Sequence, residues 1–123
     1  MYELKVITYF SAAHQLREFK GPCEDLHGHN YKVEVCVITD TLDKAGIAID
    51  FGKLKGHVAQ ITDRLDHAFL NDLEPFTQQN PSSENIARHV ADGLTGLLQD
   101  PAIRVRSVTI WESEHSCATY YPS

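Results

Sequence analysis

Apolar and polar residues alternate first at a period of two, then near three and a half, then at two again. Residues Tyr2 to His14 are rich in Val, Ile, Thr, Tyr and Phe and predict a strand. Residues His27 to Thr39 predict a second, with Tyr31, Val33, Val35 and Val37 on one face and Lys32, Glu34, Cys36 and Ile38 on the other. Between them, Arg17 to Asp25 is polar and carries Gly21-Pro22, a loop signature. Asp40 to Gly46 reads as turns, and Ile47 to Asp50 as a return to extended chain. From Phe51 the period lengthens. Leu54, Val58, Ile61 and Leu65 fall on one helical face. A loop through Pro75 and Pro81 leads to a second helix, with Asn80 or Ser82 as its cap and Glu84 in its first turn. Its stripe is Ile86, Val90, Leu94 and Leu97, and Asp100-Pro101 ends it. Arg104 to Glu112 reads as a strand in which Val105, Ser107, Thr109 and Trp111 oppose Arg106, Val108 and Ile110; Cys117 to Tyr121 reads as another.

The order ββααββ favours an α+β fold, with antiparallel pairing and two helices on one sheet face. The other face keeps apolar positions that suit a second subunit. A chain of 123 residues fits a single domain spanning 1–123. Charge narrows the chemistry. A net charge of −6 and a pI near 5.5 leave no basic footprint for nucleic acid, so an anionic substrate needs a local cation. No apolar run approaches a membrane span, and the N-terminus lacks signal-peptide regions, so a cytoplasmic location is expected. Three widely spaced cysteines, Cys23, Cys36 and Cys117, argue against a disulfide framework. Cys36 and Cys117 read as structural.

The densest chemistry lies in Cys23 to Asn30. His27 and His29, two apart on a strand, point to one side and can converge on a metal. Gly28 between them permits close approach. His14, ending the neighbouring strand, can supply a third imidazole. Three histidines with an open position match catalytic zinc rather than a closed structural site; a surface turn is the plain alternative. His57 and His89 read as solvated helix residues and His115 as a turn residue. Beside a dication the Cys23 thiol gains thiolate character, as base, nucleophile or fourth ligand; an inert loop thiol is the alternative. Asp66-His67 can work as a carboxylate–imidazole pair if the first helix ends there. Glu112 can be a salt-bridged edge residue or can accept two N–H bonds from a flat amidine-like edge.

These features in order resemble the 6-pyruvoyl-tetrahydropterin synthase family over nearly the whole chain. They are Phe10-Ser11-Ala12-Ala13-His14, Cys23 through Asn30, Ile49-Asp50-Phe51, Leu65-Asp66-His67, Leu70-Asn71, Asn80 through Ala87, and Trp111-Glu112. The resemblance implies the tunnelling fold, a homo-oligomer whose sheets join into a barrel with active sites at subunit interfaces. It implies Zn2+ on His14, His27 and His29, proton abstraction by Cys23, proton relay by Asp66 and His67, and pterin anchoring by Glu112. The implied substrate is a pterin triphosphate, 7,8-dihydroneopterin triphosphate. The three-residue gap between Cys23 and His27 resembles the bacterial branch that serves queuosine synthesis, whose products are 6-carboxy-tetrahydropterin, acetaldehyde and triphosphate. Elimination of triphosphate to a 6-pyruvoyl product is one alternative. Release of a 6-hydroxymethyl-dihydropterin through Glu24 is another, and a non-catalytic zinc or pterin-binding module is a third. Arg17 and Lys20 are candidates for the triphosphate.

Overall fold

The computed structural model describes residues 1–17 and 25–123. Among them four strands form one antiparallel sheet in the order β1-β2-β3-β4: β1 Tyr2–His14, β2 His27–Thr39, β3 Arg104–Trp111 and β4 Cys117–Tyr120. Helices α1 (Phe51–Thr62) and α2 (Ser83–Leu97) lie between β2 and β3 in sequence, with a short 3-10 turn at Leu70–Asp72. The long β1–β2 ladder runs from Tyr2 opposite Thr39 to His14 opposite His27. Its inward side chains Val6, Phe10, Tyr31, Val33, Val35 and Val37 are buried with Leu54, Val58, Ile86, Val90 and Leu94 of the helices. Full burial of such a side chain contributes roughly 1.5–3 kcal/mol, so this single sandwich of sheet and helices carries most of the stabilisation. Phe10 and Tyr31 stack across the ladder at 4.8 Å and 18°.

Local chemistry sets the ends of the helices. Asp50 caps α1, its carboxylate accepting from the Lys53 N–H at 3.0 Å. Ser82, not Asn80, caps α2, its hydroxyl accepting from the Asn85 N–H at 3.2 Å. The expected extended stretch at Ile47 to Asp50 forms no strand. Asp43 Oδ1 instead gathers the N–H groups of Ala45 (2.8 Å) and Ile47 (3.0 Å), closing a turn that Gly46 completes at φ 78°. Leu65 joins the core as its stripe position predicts, but from beyond the helix, which stops at Thr62.

The alternation expected in β3 breaks in the middle. Cys36 pairs with Ser107 but Val37 pairs with Val105, leaving Arg106 without an opposite residue. This β-bulge shifts the phase by one. Val105 therefore shares the core with Val108 and Ile110, which simple alternation would place opposite it. Cys36 is buried, whereas Cys117, expected to be structural, is exposed at the sheet edge.

His89 was expected to be solvated. It lies half-buried against Phe76, ring centroids 5.3 Å apart. Burial pushes its pKa below the ordinary 6.5; Asp92 opposes this and Arg64 adds to it. The unfolded chain thus takes up this proton at a higher pH than the folded one. Its contribution to stability is fully present above pH 6.5 and is lost as pH falls from there through the lowered folded value. His89→Gln should flatten that part of the wild-type acid slope in denaturant unfolding measured on either side of pH 6.5. An unchanged slope would show that His89 is not its source.

Candidate metal centre

β1 and β2 end together, and that end of their ladder carries the site. His14 and His27 are direct cross-strand partners, and His29 faces Ala12 two pairs further in. All three rings project on the face shared with Tyr31. Their centroids lie 4.5 Å (His14–His27), 5.0 Å (His14–His29) and 4.7 Å (His27–His29) apart, at interplanar angles of 72°, 88° and 90°. Three rings set nearly edge to face surround one point. One nitrogen from each, together with a carboxylate oxygen of Glu112, lie within 4.8 Å of one another, a cluster that could hold a metal ion.

Hydrogen bonding fixes which nitrogens face inward. His14 Nδ1 lies 2.7 Å from the Pro81 carbonyl oxygen, and His27 Nδ1 lies 2.9 Å from that of Asp25. A carbonyl only accepts, so each Nδ1 carries a proton, and Nε2 is the atom each ring can offer to a metal. Those two Nε2 atoms are 2.9 Å apart. Two nitrogens at that separation need a cation between them, a shared proton or a metal ion. The donor set therefore fits a metal, with backbone carbonyls as the outer partners that hold ligating imidazoles in one tautomer. His14 is buried, and the Tyr31 hydroxyl stands 3.2 Å from its Nδ1.

Glu112 follows β3 and closes a turn through its N–H to the Ser116 carbonyl at 3.2 Å. Its Oε1 is 2.8 Å from His29 Nε2, and its Oε2 accepts from the Ser83 hydroxyl at 3.2 Å. Trp111 beside it donates its indole N–H to Glu34 at 3.0 Å. His29, Glu112, Trp111, Tyr9 and Lys32 line one cavity of about 700 Å³. A second, of about 520 Å³, lies between His29 and His67.

The Asp66–His67 pair forms because α1 ends before it. His67 takes a left-handed backbone at φ 57°, an uncommon state for a residue other than glycine. Its N–H donates to the Ser11 carbonyl at 2.6 Å. In that posture its Nδ1 meets Asp66 Oδ2 at 3.0 Å, while Asp66 Oδ1 accepts the Ser11 N–H at 2.9 Å. The Ser11 N–H first, and then His67, hold the Asp66 carboxyl below its ordinary pKa. The segment thus docks on the edge of β1, with His67 exposed toward the cavity it shares with His29.

Cys23, Glu24 and Lys20 lie outside the described residues. Arg17 has other work than the expected triphosphate contact: its Nη2 donates to the carbonyls of Phe76 and Gln79, each at 2.6 Å. Sequence reasoning missed the Pro81 carbonyl and Ser83. Alternation places Tyr31 on the same side as His29 and offered a signal for the hydroxyl; a proline carbonyl leaves none.

Fold and site together define an α+β domain with a histidine-rich centre at one end of an antiparallel sheet. The chain belongs to the 6-pyruvoyl tetrahydropterin synthase family, whose model matches residues 3–123. It is similar to the 6-carboxy-5,6,7,8-tetrahydropterin synthase of Bacillus subtilis, at 32% identity covering 98% of this chain and 86% of that protein. A protein of the same description from Synechocystis is 34% identical over 91% of this chain and 87% of its own length. A putative 6-pyruvoyl tetrahydrobiopterin synthase of Caenorhabditis elegans is 30% identical over 98% of both. Among solved structures, the C. elegans 6-pyruvoyl tetrahydropterin synthase superposes with a TM-score of 0.87 at 28% identity, covering 99% of this chain and 96% of that one. A Plasmodium vivax 6-pyruvoyltetrahydropterin synthase, in a variant with a catalytic glutamate changed to alanine, gives 0.80 at 26%, covering 99% and 98%. The fold is that of these tunnelling-fold synthases. No helix among the described residues is long and apolar enough to cross a membrane.

Proposed function

We propose that this chain is a zinc-dependent lyase converting 7,8-dihydroneopterin triphosphate to 6-carboxy-tetrahydropterin, acetaldehyde and triphosphate, the step that feeds queuosine synthesis. The observation that carries the reading is the convergence of His14, His27 and His29 on one point, with the Nδ1 atoms of His14 and His27 turned outward to backbone carbonyls. The relatives from B. subtilis and Synechocystis support this choice of product. Three imidazoles with room for an oxygen ligand suit zinc, which when bound would supply Lewis acidity to the hydroxyls of the substrate side chain.

The chain's own groups do the rest. Cys23, four residues before His27 in sequence, takes the proton from the side-chain carbon as thiolate. Asp66 holds the His67 ring through its 3.0 Å contact, so that His67 can return a proton at the other ring nitrogen. Glu112 accepts the paired N–H groups of the pterin edge and exchanges its present His29 contact for them. Ser83 keeps that carboxylate in place, the positional share of catalysis. A second reading, elimination of triphosphate to a 6-pyruvoyl product, is favoured by the C. elegans relative. Glu24, adjacent to Cys23, keeps the hydroxymethyl-forming chemistry open in view of the catalytic glutamate of the P. vivax protein.

The active form in this reading is a homo-oligomer. Among the described residues no further strand pairs with the outer edge of β1 from Tyr2 to Tyr9 or with the outer edge of β4. Tyr2, Ile7 and Tyr9 are exposed there, and an edge left so is a template for another chain.

Cys23→Ala should leave zinc content and pterin affinity near wild type while abolishing turnover, and Glu112→Ala should chiefly weaken pterin binding. Mass spectrometry of the wild-type reaction should find the 6-carboxy product. Full activity in Cys23→Ala together with a hydroxymethyl product would move the base to Glu24 and overturn the assignment. Light scattering at micromolar concentration should report an oligomer; an active monomer would contradict the edge-pairing account.

A further inference from the structure

The ladder of β1 ends at His14, but its pattern of hydrogen bonding does not. The Gln15 N–H donates to Asn71 Oδ1 at 2.9 Å, and the Gln15 carbonyl accepts from Asn71 Nδ2 at 2.7 Å. Two residues on, the Arg17 N–H donates to Asn80 Oδ1 at 2.7 Å, and the Arg17 carbonyl accepts from Asn80 Nδ2 at 2.7 Å. A primary amide offers one acceptor and two donors on a planar group. Each asparagine thus supplies the same donor–acceptor couple that an opposite strand residue supplies in a hydrogen-bonded antiparallel pair. Together they act as surrogate strand partners for the stretch that follows the first histidine.

Asn80 is also tied to the far side of the site. The Asn80 carbonyl accepts from Asn85 Nδ2 at 2.8 Å, which fixes it to the first turn of α2. The next carbonyl in the chain, that of Pro81, takes the proton of His14 Nδ1 at 2.7 Å. Just before the histidine, the Ala13 N–H donates to the Ala68 carbonyl at 3.0 Å. His14 is therefore gripped before, after and at its ring, and the ring partner shares a rigid turn with the backbone clamp. Removing either amide frees the backbone that carries His14 or the turn that carries its acceptor.

We propose that Asn71 and Asn80 are positioning residues for the metal centre. They hold the His14 backbone and the Pro81 carbonyl in one frame, so that His14 Nε2 is aimed before a metal arrives. The inference rests on the reading of His14, His27 and His29 as ligands and assigns the centre a further layer of support. Loss of such outer support weakens metal binding about 10–100-fold.

The test uses the whole chain, stripped by a chelator and titrated with Zn2+ against a chromophoric competitor, at a temperature where circular dichroism shows every variant folded. Asn71→Asp and Asn80→Asp keep size and one acceptor but set a carboxylate oxygen against a backbone carbonyl. Each adds a negative charge, which by itself would favour a cation; the proposal requires the opposite, a rise of about 10–100-fold in the Zn2+ dissociation constant. Gln78→Glu, an equal charge on an exposed residue of the same loop, should keep wild-type affinity. If Asn80→Asp does not fold, Asn71→Asp decides, since it leaves the Arg17 and Pro81 contacts untouched. Wild-type Zn2+ affinity in the aspartate variants overturns the proposal while the metal centre stands. Failure of the wild-type protein itself to bind Zn2+ stoichiometrically overturns the metal reading and the proposal with it.

Discussion

The register between β1 and β2 sets His14 opposite His27, and the rest of the centre follows from that pairing. A slip of one residue would turn every side chain of one strand to the other face. It would expose Tyr31 and Val33 to solvent and point His27 and His29 away from His14. The hydrophobic ladder therefore enforces the metal geometry: apolar burial at pairs such as Val6–Val35 and Phe10–Tyr31 fixes the placement of polar groups at the end. The Phe10–Tyr31 stack lies between the two, core on one side and imidazoles on the other.

A second convergence occurs where α2 begins. Pro81 presents its carbonyl to His14, Ser82 caps the helix, and Ser83 donates to Glu112. Three successive residues thus serve a ligand, a helix and a carboxylate. The N-terminus of α2, favourable to negative charge, lies beside the one acidic group of the cluster. The start of the helix and the outer contacts of the centre are thus built from the same turn.

Much of this was legible in the sequence, and the failures have physical causes. β1, β2 and both helix stripes follow from periodicity, because burial on one face leaves a direct imprint on residue choice. The His-Gly-His spacing pointed to a shared face for His27 and His29. The bulge at Arg106 was not legible: it inserts a residue without a sequence signal, and it moved Val105 into the core. Cys117 failed because a short edge strand buries little. His89 failed because it packs against Phe76, from a loop outside its own helix. Arg17 was a candidate for the triphosphate, but backbone carbonyls of residues 76 and 79 take donors of its guanidinium, and carbonyl positions are set only by the finished fold.

The most direct measurement of the central claim is X-ray absorption at the zinc edge of the fully loaded protein. The account predicts a first shell of nitrogen and oxygen only, at about 2.0–2.1 Å, with outer-shell scattering from three imidazoles. A sulfur scatterer near 2.3 Å would make Cys23 a ligand in place of a base. A shell with fewer than three imidazoles would contradict the convergence of His14, His27 and His29 on one ion.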